Sequence, residues 1–305
     1  MSNILIEYLS DIWYIGDWIP WRYNTYNTHM KEFESKLKQE YPLGNGTFYI
    51  DHGTNYFTFF RRLGEPFFYA MFNCNNVIGT ICYVYRKIRG EYIMYLCDLK
   101  LDPKVRNQGL MKILLHRTIP NCLLRTTQFY AISMNDPIDD TDTDTNSKNK
   151  ILSMGQHIGD KYSINVKSGG ILNIYMLNHK QMSFVHDLVI WHKGRTCHLN
   201  RSAFRYISLK DVKDIIVNEM IDNVKVVQPL KLLHLNYIDA DNASVNVTDY
   251  YTKPLELYNH MFCTLSNSSL SVDLNQFDIH PMSTATIIHH GMGEFNWELI
   301  QTCDI

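Results

Sequence analysis

The feature that most constrains this chain is a change of hydrophobic period at Gly109. The preceding stretch, Tyr92–Leu101, is rich in aromatic and β-branched residues, which is typical of a strand. After it, Leu110, Ile113 and Leu114 recur at helical spacing. The stretch therefore predicts a strand, a short turn and a helix in direct succession.

The turn before this helix predicts an anion-binding site. The first N–H groups of a helix have no partner within the helix, and they lie at the positive end of its dipole, which suits a phosphate or pyrophosphate. Gly109 lets a ligand approach the backbone closely, and Arg106 adds a positive charge. A Walker loop is excluded because no Gly-Lys-Ser/Thr follows, and a dinucleotide fingerprint is excluded because the GxGxxG glycines are missing.

Before Gly109 the sequence predicts mainly strands, and after Gly109 it predicts both helices and strands. The strands predicted by composition and alternation are Tyr56–Phe60, Phe67–Asn73, Val77–Arg86, Tyr92–Leu101, Thr127–Ser133, Ile171–Leu177, Val185–Trp191, Phe204–Ile207 and Leu230–Tyr237. The helices predicted by period are His29–Glu40, the stretch after Gly109, Asn149–His157 and Ser208–Asp222. Near the end of the chain, Ala285–His289 and Phe295–Thr302 are predicted to form a hairpin.

The loop from Leu101 to Met111 resembles the acetyl-CoA loop of the GNAT superfamily of N-acetyltransferases, Arg/Gln-x-x-Gly-x-Gly/Ala. It reads Leu-Asp-Pro-Lys-Val-Arg-Asn-Gln-Gly-Leu-Met, and Val77–Thr80 resembles the third strand of the family. The resemblance covers roughly residues 47–177. It implies an α/β fold whose mixed sheet has antiparallel strands followed by a strand–loop–helix cofactor site.

A second α/β unit is expected after this region. We predict a GNAT-like acetyl-CoA-binding domain over residues 1–180, which includes an N-terminal aromatic extension with Trp13 and Trp18, and a second domain over residues 181–305. The Arg106-x-x-Gly109 loop is not repeated in the second half of the sequence, so we interpret that half as a degenerate GNAT-like unit.

The resemblance also implies an activity: transfer of an acetyl group from acetyl-CoA to a primary amine in a direct ternary complex. The acceptor is a small molecule, an amino sugar, a polyamine or a peptide, and the sequence does not choose among them. An alternative is an inactive CoA-binding or protein-interaction module. By resemblance, the residues assigned to the cofactor are Leu99, Leu101, Arg106, Asn107, Gln108, Gly109, Leu110, Met111 and Asn149.

The catalytic groups are less clearly marked. The resemblance suggests Asp98 as a base or as a group that holds the substrate cation, and a solvated or paired strand carboxylate is the other interpretation. The family's tyrosine general acid is not matched, which leaves Tyr130 and Tyr162 as candidates. Met111 stands where the family has Gly or Ala, and this side chain is expected to crowd the loop.

Composition sets the remaining expectations. Lys and Arg total 29 against 31 Asp and Glu, so the chain lacks the basic field of a dedicated nucleic-acid binder. The sequence has neither a signal-peptide pattern nor a membrane-length apolar run, which favours a cytoplasmic protein. No metal is expected, because His192, Cys197 and His198 lack a fourth ligand at zinc spacing. The acidic segment Asp136–Lys150 is interpreted as a solvated loop, and the oligomeric state is left open.

Overall fold

The computed structural model describes residues 4–8, 20–43, 46–135, 150–221, 224–237, 250–251 and 255–305. Its helices are α1 (Pro20–Leu37), α2 (Thr58–Leu63), α3 (Leu110–Leu123), α4 (Lys150–Lys161), α5 (His179–Cys197) and α6 (Ser269–Gln276). Its strands are β1 (Ile4–Tyr8), β2 (Tyr41–Leu43), β3 (Gly46–Asp51), β4 (Glu65–Asn73), β5 (Asn76–Ile88), β6 (Glu91–Leu101), β7 (Phe129–Met134), β8 (Lys167–Leu177), β9 (Phe204–Ile207), β10 (Asp214–Ile221), β11 (Val224–Pro229), β12 (Leu232–Tyr237), β13 (Tyr250–Tyr251), β14 (Asn259–Leu265) and β15 (Ser283–His290).

The strands form two sheets, and the larger one is mixed. Its order is β1-β4-β5-β6-β7-β15-β8-β14-β12-β9-β13, and the smaller sheet has the order β11-β10-β3-β2. Strands β4, β5 and β6 are antiparallel neighbours, whereas β6 pairs with β7 in parallel and β12 pairs with β14 in parallel. The predicted α/β class, with antiparallel strands followed by a strand–loop–helix unit, is confirmed.

Strand β15 connects distant parts of the sequence. It lies between β7 and β8 and pairs antiparallel with both. A strand from beyond residue 180 thus completes the sheet formed by strands of residues 1–180. We call residues 1–180 the first region and residues 181–305 the second region. The division into domains at residues 1–180 and 181–305 stays a prediction.

Two predicted strands are helices in the structure. The stretch Tyr56–Phe60 contributes to α2, where Phe59 and Phe60 are buried. The stretch Val185–Trp191 lies inside α5, whose first turn is closed by a capping box from Asn178 and Gln181. In both cases a short apolar run is compatible with strand and helix, and packing decided between them.

Two further predictions fail in the second half. The predicted helix Ser208–Asp222 is largely strand β10, which pairs with β3 on one side and β11 on the other. Its β-branched residues suit a buried sheet position, and only the long-range partners show this. The second arm of the predicted C-terminal hairpin instead forms short 3₁₀ turns at Trp297–Leu299 and Thr302–Asp304.

The remaining predicted helices and strands are found, with shifted ends. The aromatic residues Trp13 and Trp18 lie outside the described residues, as does the acidic segment over 136–149. None of the helices within the described ranges is long and apolar enough to cross a membrane.

Candidate functional site

The central feature of the first region is a gap between β6 and β7. These strands pair only where Met94–Leu96 faces Phe129–Ala131. Beyond those residues, β6 continues as Cys97–Leu101 on β5, and β7 continues as Ile132–Met134 on β15. We call the space between these two continuations the β6–β7 gap.

The loop that enters α3 lies next to the end of β6 and exposes its backbone. Arg106, Asn107, Gln108 and Gly109 are all exposed. Gly109 has a φ of 74°, and a Cβ added there would meet nothing within 4 Å. The loop also has Asn107 at a φ of 63°. The exposed backbone, the free first turn of α3 and Arg106 together fit an anionic phosphate group.

The apolar residues beside this loop pack under it. Leu101 and Leu110 are buried in the core between the sheet and α3, and the half-buried Leu99 and Met111 pack against the same core. Met111 thus makes apolar contacts with the core, and the expected crowding of the loop by this side chain stays a prediction. Asn149, the last residue assigned to the cofactor by resemblance, lies outside the described residues.

An apolar cavity of about 60 Å³ lies between α3, α4 and the sheet. Its lining includes Leu96 and Leu99 of β6 and Ala131 of β7. The cavity therefore reaches the point where the two strands separate. On this face of the sheet, the gap is bordered by uncharged side chains.

Asp98 lies on the opposite face, in a buried ion pair. Its backbone has a φ of 52°, at a bulge where the pairing of β5 with β6 shifts register. The carboxylate is 2.6 Å from the Nζ of Lys100 and accepts a hydrogen bond of 2.6 Å from the hydroxyl of Tyr56. Only 2% of the Asp98 side chain is exposed. The structure thus places Asp98 beside the β6–β7 gap but surrounds it with partners, as in the second interpretation given above.

Neither tyrosine candidate is free. Tyr130 is fully buried, stacks on Tyr95 and accepts a hydrogen bond of 2.5 Å from Arg86. Burial, against the opposing charge of Arg86, raises the pKa of Tyr130. Tyr162 donates its hydroxyl hydrogen to the carbonyl oxygen of His116 on α3. These surroundings favour structural roles, and a general acid at either position stays a prediction.

Sequence reasoning missed the polar residues that α1, the end of β3 and the loop before β10 bring to this face. Lys31 lies 2.6 Å from Asp51 and 2.7 Å from Glu34, and Glu34 in turn pairs with His52. Lys213 is also buried there, with its Nζ 4.5 Å from the centre of the Phe59 ring. These residues come from distant parts of the chain, and no local pattern marks them.

The three buried lysines around the interior differ in their partners. Lys100 pairs with Asp98, and Lys193 pairs with Glu298 at 2.7 Å. Burial acts against their charge, but the paired carboxylates more than compensate and raise the pKa of both amines. Within the described part of the chain, the side-chain amine of Lys213 makes neither a hydrogen bond nor an ion pair, and burial lowers its pKa to about 8.

A second gap occurs where β12 and β14 separate. These strands pair only where Leu232–His234 faces Asn259–Met261. Beyond those residues, Leu235–Tyr237 pairs with β9 and Phe262–Leu265 pairs with β8. We call this space the β12–β14 gap.

The C-terminal segment, residues 297–305, occupies the β12–β14 gap. On the β12 side, the imidazole of His234 lies 2.9 Å from the Thr302 hydroxyl, and the Asn236 amide donates to the sulfur of Cys303 at 2.7 Å. On the β14 side, the hydroxyl of Thr264 donates to the carboxylate of Glu298 at 2.8 Å. Both edges of the gap therefore bind the segment.

The end of this segment reaches the first region. Asp304 lies 3.1 Å from the guanidinium of Arg86 on β5, and both side chains are buried. Arg86 also donates to Tyr130 of β7. Burial alone would lower the pKa of Arg86, but Asp304 outweighs it and raises the pKa. The C-terminus is thus fastened to the face of the sheet opposite α3.

Comparison with known proteins gives distant similarities. No protein-family model matches the chain. It is 23% identical over 265 residues to the uncharacterized protein L340 of Acanthamoeba polyphaga mimivirus, covering 82% of this chain and 68% of that protein.

Solved structures give similarities at lower identity. A tandem GNAT protein from the clavulanic acid biosynthesis pathway is 7% identical with a TM-score of 0.46, and the match covers 94% of this chain and 98% of that one. A GNAT-family acetyltransferase from Staphylococcus aureus is 16% identical with a TM-score of 0.22, over 34% of this chain. The match spans only 54% of the length of that acetyltransferase. Both of these solved structures are GNAT proteins.

Proposed function

We propose that this chain transfers an acetyl group from acetyl-CoA to a primary amine at the β6–β7 gap. The observation that carries the proposal is the position of the gap directly beside the exposed loop that enters α3. Acetyl-CoA needs two features of a binding site. The start of α3 would bind its phosphates, and the gap in the sheet would admit its thioester end. The substrate amine could belong to a small molecule, an amino sugar, a polyamine or a peptide.

The residues of the loop would hold the pyrophosphate of the thioester substrate. The N–H groups at the start of α3 donate to phosphate oxygens, and the guanidinium of Arg106 neutralises their charge. The absence of a side chain at Gly109 leaves the backbone open to close approach. The backbone of Leu99 and Leu101, together with the apolar lining of the cavity, would border the uncharged arm of the substrate.

The acceptor would approach from the face opposite α3, where the charged residues lie. An attacking amine must be neutral, and its proton must leave as the new bond to carbon forms. Asp98 is the base that the resemblance suggests, but its carboxylate already holds Lys100 and Tyr56. We therefore assign Asp98 first to holding the polar groups at the edge of the gap, and keep its role as a base as a hypothesis.

The test is a thermal-shift titration with acetyl-CoA on matched glycine variants. Binding to the folded state raises the melting temperature by linkage, and Gly109→Glu is expected to abolish that increase because it places bulk and negative charge at the phosphate site. Gly90→Glu is the matched control. Gly90 also has a positive φ, of 84°, and open space around its Cβ position, but it lies in the β5–β6 turn. Equal shifts in both variants would contradict the assignment of the loop.

Turnover is the second measurement. Release of the free CoA thiol in the presence of a panel of primary amines supports the transferase. Binding of acetyl-CoA without amine-dependent thiol release on the whole panel would favour the inactive CoA-binding module, which is the alternative function.

A further inference from the structure

Lys213 is a buried lysine that lies immediately before β10. Its backbone N–H is bound by the carbonyl of Leu209, and only 5% of the residue is exposed. Its amine lies over the ring of Phe59. Burying an amine without an ion-pair partner is costly, so this arrangement is unusual for a purely structural lysine.

Lys213 lies on the acceptor face of the β6–β7 gap. Its titratable neighbours on β6 are Cys97 and Lys100, and Cys97 is the first residue of β6 beyond the last β6–β7 pair. The cofactor loop lies on the other face, where Leu99 and Leu101 pack with α3. A reactive group that enters the gap from the α3 face therefore emerges on the face that holds Lys213.

The other groups around Lys213 come from the C-terminal segment and β12. Asp304 and Cys303 face it from the C-terminal segment, and His234 faces it from β12. Burial raises the pKa of the Cys303 thiol well above its usual value, and the charge of Asp304 is already paired with Arg86. The amine of Lys213 thus has a cationic neighbour in Lys100 but no carboxylate of its own.

We propose that Lys213 is a self-acylation site, at which the chain transfers the acyl group of a bound acyl-CoA to its own amine. The proposal rests on the function proposed above. The nitrogen of Lys213 forms a bond to the thioester carbonyl carbon while the carbon–sulfur bond breaks, and the proton lost by nitrogen passes to the thiolate. The products are an N-acyl-lysine and the free CoA thiol, so the step needs no other reactant.

The low pKa of Lys213 provides the reactive form of the amine. Only a neutral amine attacks a thioester, and an ordinary lysine is almost entirely protonated at neutral pH. Burial lowers the pKa of Lys213 to about 8, so a substantial fraction is neutral at pH 7.5. The rate of self-acylation is expected to rise with pH up to about 8 and then to level off, whereas chemical acylation of exposed lysines keeps rising.

The experiment incubates the intact chain with acetyl-CoA and follows its mass and its peptides by mass spectrometry. The expected result is one acetyl group per chain at Lys213, formed faster than at any exposed lysine such as Lys104. Lys100 and Lys193 are internal controls, because they are buried but hold their protons through Asp98 and Glu298. Lys213→Met removes the amine at similar volume and is expected to remove this acetyl group without affecting the slow background.

Gly109→Glu separates this proposal from the proposed function. In the proposed scheme the variant loses acetylation of Lys213 and keeps the background on exposed lysines. If acetyl-CoA raises the melting temperature of the natural chain but Lys213 stays unmodified across pH 7–9, self-acylation is wrong and the transferase proposal stands. If acetyl-CoA causes no thermal shift and acetylation is spread over exposed lysines, both proposals are wrong.

Discussion

The β6–β7 gap and the β12–β14 gap have the same backbone arrangement but different contents. In each, two parallel strands pair over three residues and then continue on different neighbours. The first gap adjoins an exposed loop with Gly109 and a cavity, whereas the second is filled by residues 297–305 of the same chain. A gap between parallel strands is thus a backbone feature that occurs twice in this molecule, and in the second case the protein's own residues 297–305 occupy it.

Residues of the second region also contribute side chains to the candidate site in the first region. The C-terminal segment fills the β12–β14 gap and then pairs Asp304 with Arg86 on the face of the first region opposite α3. Lys213, which precedes β10, contributes an amine to the same face. Residues beyond 180 therefore form part of the candidate site, although they carry no second copy of the cofactor loop.

The largest expected effect comes from loosening the segment that closes the second gap. Asp304→Ala leaves the buried Arg86 without its carboxylate, and breaking a buried pair of this kind costs about 3–5 kcal/mol of unfolding free energy. Urea denaturation measures the loss. Asp187→Ala is the control, because its pair with Arg201 is exposed and should be worth less than about 1 kcal/mol.

The Asp304→Ala variant also tests whether the β12–β14 gap can bind acetyl-CoA once the C-terminal segment is loosened. Acetyl-CoA stoichiometry, measured by calorimetry on the folded Asp304→Ala chain, is expected to stay at one per chain, because the Arg106-x-x-Gly109 pattern is not repeated. Two bound molecules per chain would show that the segment merely hides a second competent site.

A smaller effect on the unfolding free energy is expected from the buried amine of Lys213, which has no carboxylate partner. The pKa of Lys213 is about 8 in the folded state against an ordinary 10.5, so the unfolded chain binds more protons between those pH values. This difference costs the folded state about 3 kcal/mol below pH 8, and the cost disappears as the pH rises to 10.5. Lys213→Met should therefore be more stable than the natural chain at pH 7, and the advantage should vanish near pH 10.5. If the difference in unfolding free energy between Lys213→Met and the natural chain does not change with pH, the amine of Lys213 is in contact with water.

The smallest expected effect on stability concerns the packing of α4 beside the β6–β7 gap. The cavity beside the first gap is lined in part by Gly155 and Gly159 of α4. A Cβ at Gly155 would lie 3.5 Å from Val166, whereas one at Gly159 would lie 2.5 Å from the carbonyl oxygen of Ile164. Gly155→Ala is expected to raise the unfolding free energy by about 0.5–1 kcal/mol through helix propensity and contact, and Gly159→Ala is expected to lower it. Melting temperatures of the two variants should therefore shift in opposite directions.

Local pattern was enough to predict the strand–turn–helix unit and the loop at its centre. The alternation in β6, the glycine at 109 and the helical spacing after it are all set within about twenty residues of sequence. The short apolar runs were predicted less well, because Val185–Trp191 fits a strand or a helix until the capping residues Asn178 and Gln181 are considered. Strand β10 was mistaken for a helix because its partners, β3 and β11, do not appear in its own pattern.

The sequence by itself determined the position of the exposed loop that enters α3 and the presence of Asp98 within β6. The tertiary structure alone decided which residues contact which: Tyr56 and Lys100 contact Asp98, residues 297–305 lie in the β12–β14 gap, and the amine of Lys213 lies over the ring of Phe59. The physical reason is that period and turn chemistry act between near neighbours, whereas burial and charge pairing depend on residues that only folding brings together. An amine such as that of Lys213 has an ordinary pKa in any local sequence, and it becomes a reactive group only where the fold buries it without a carboxylate.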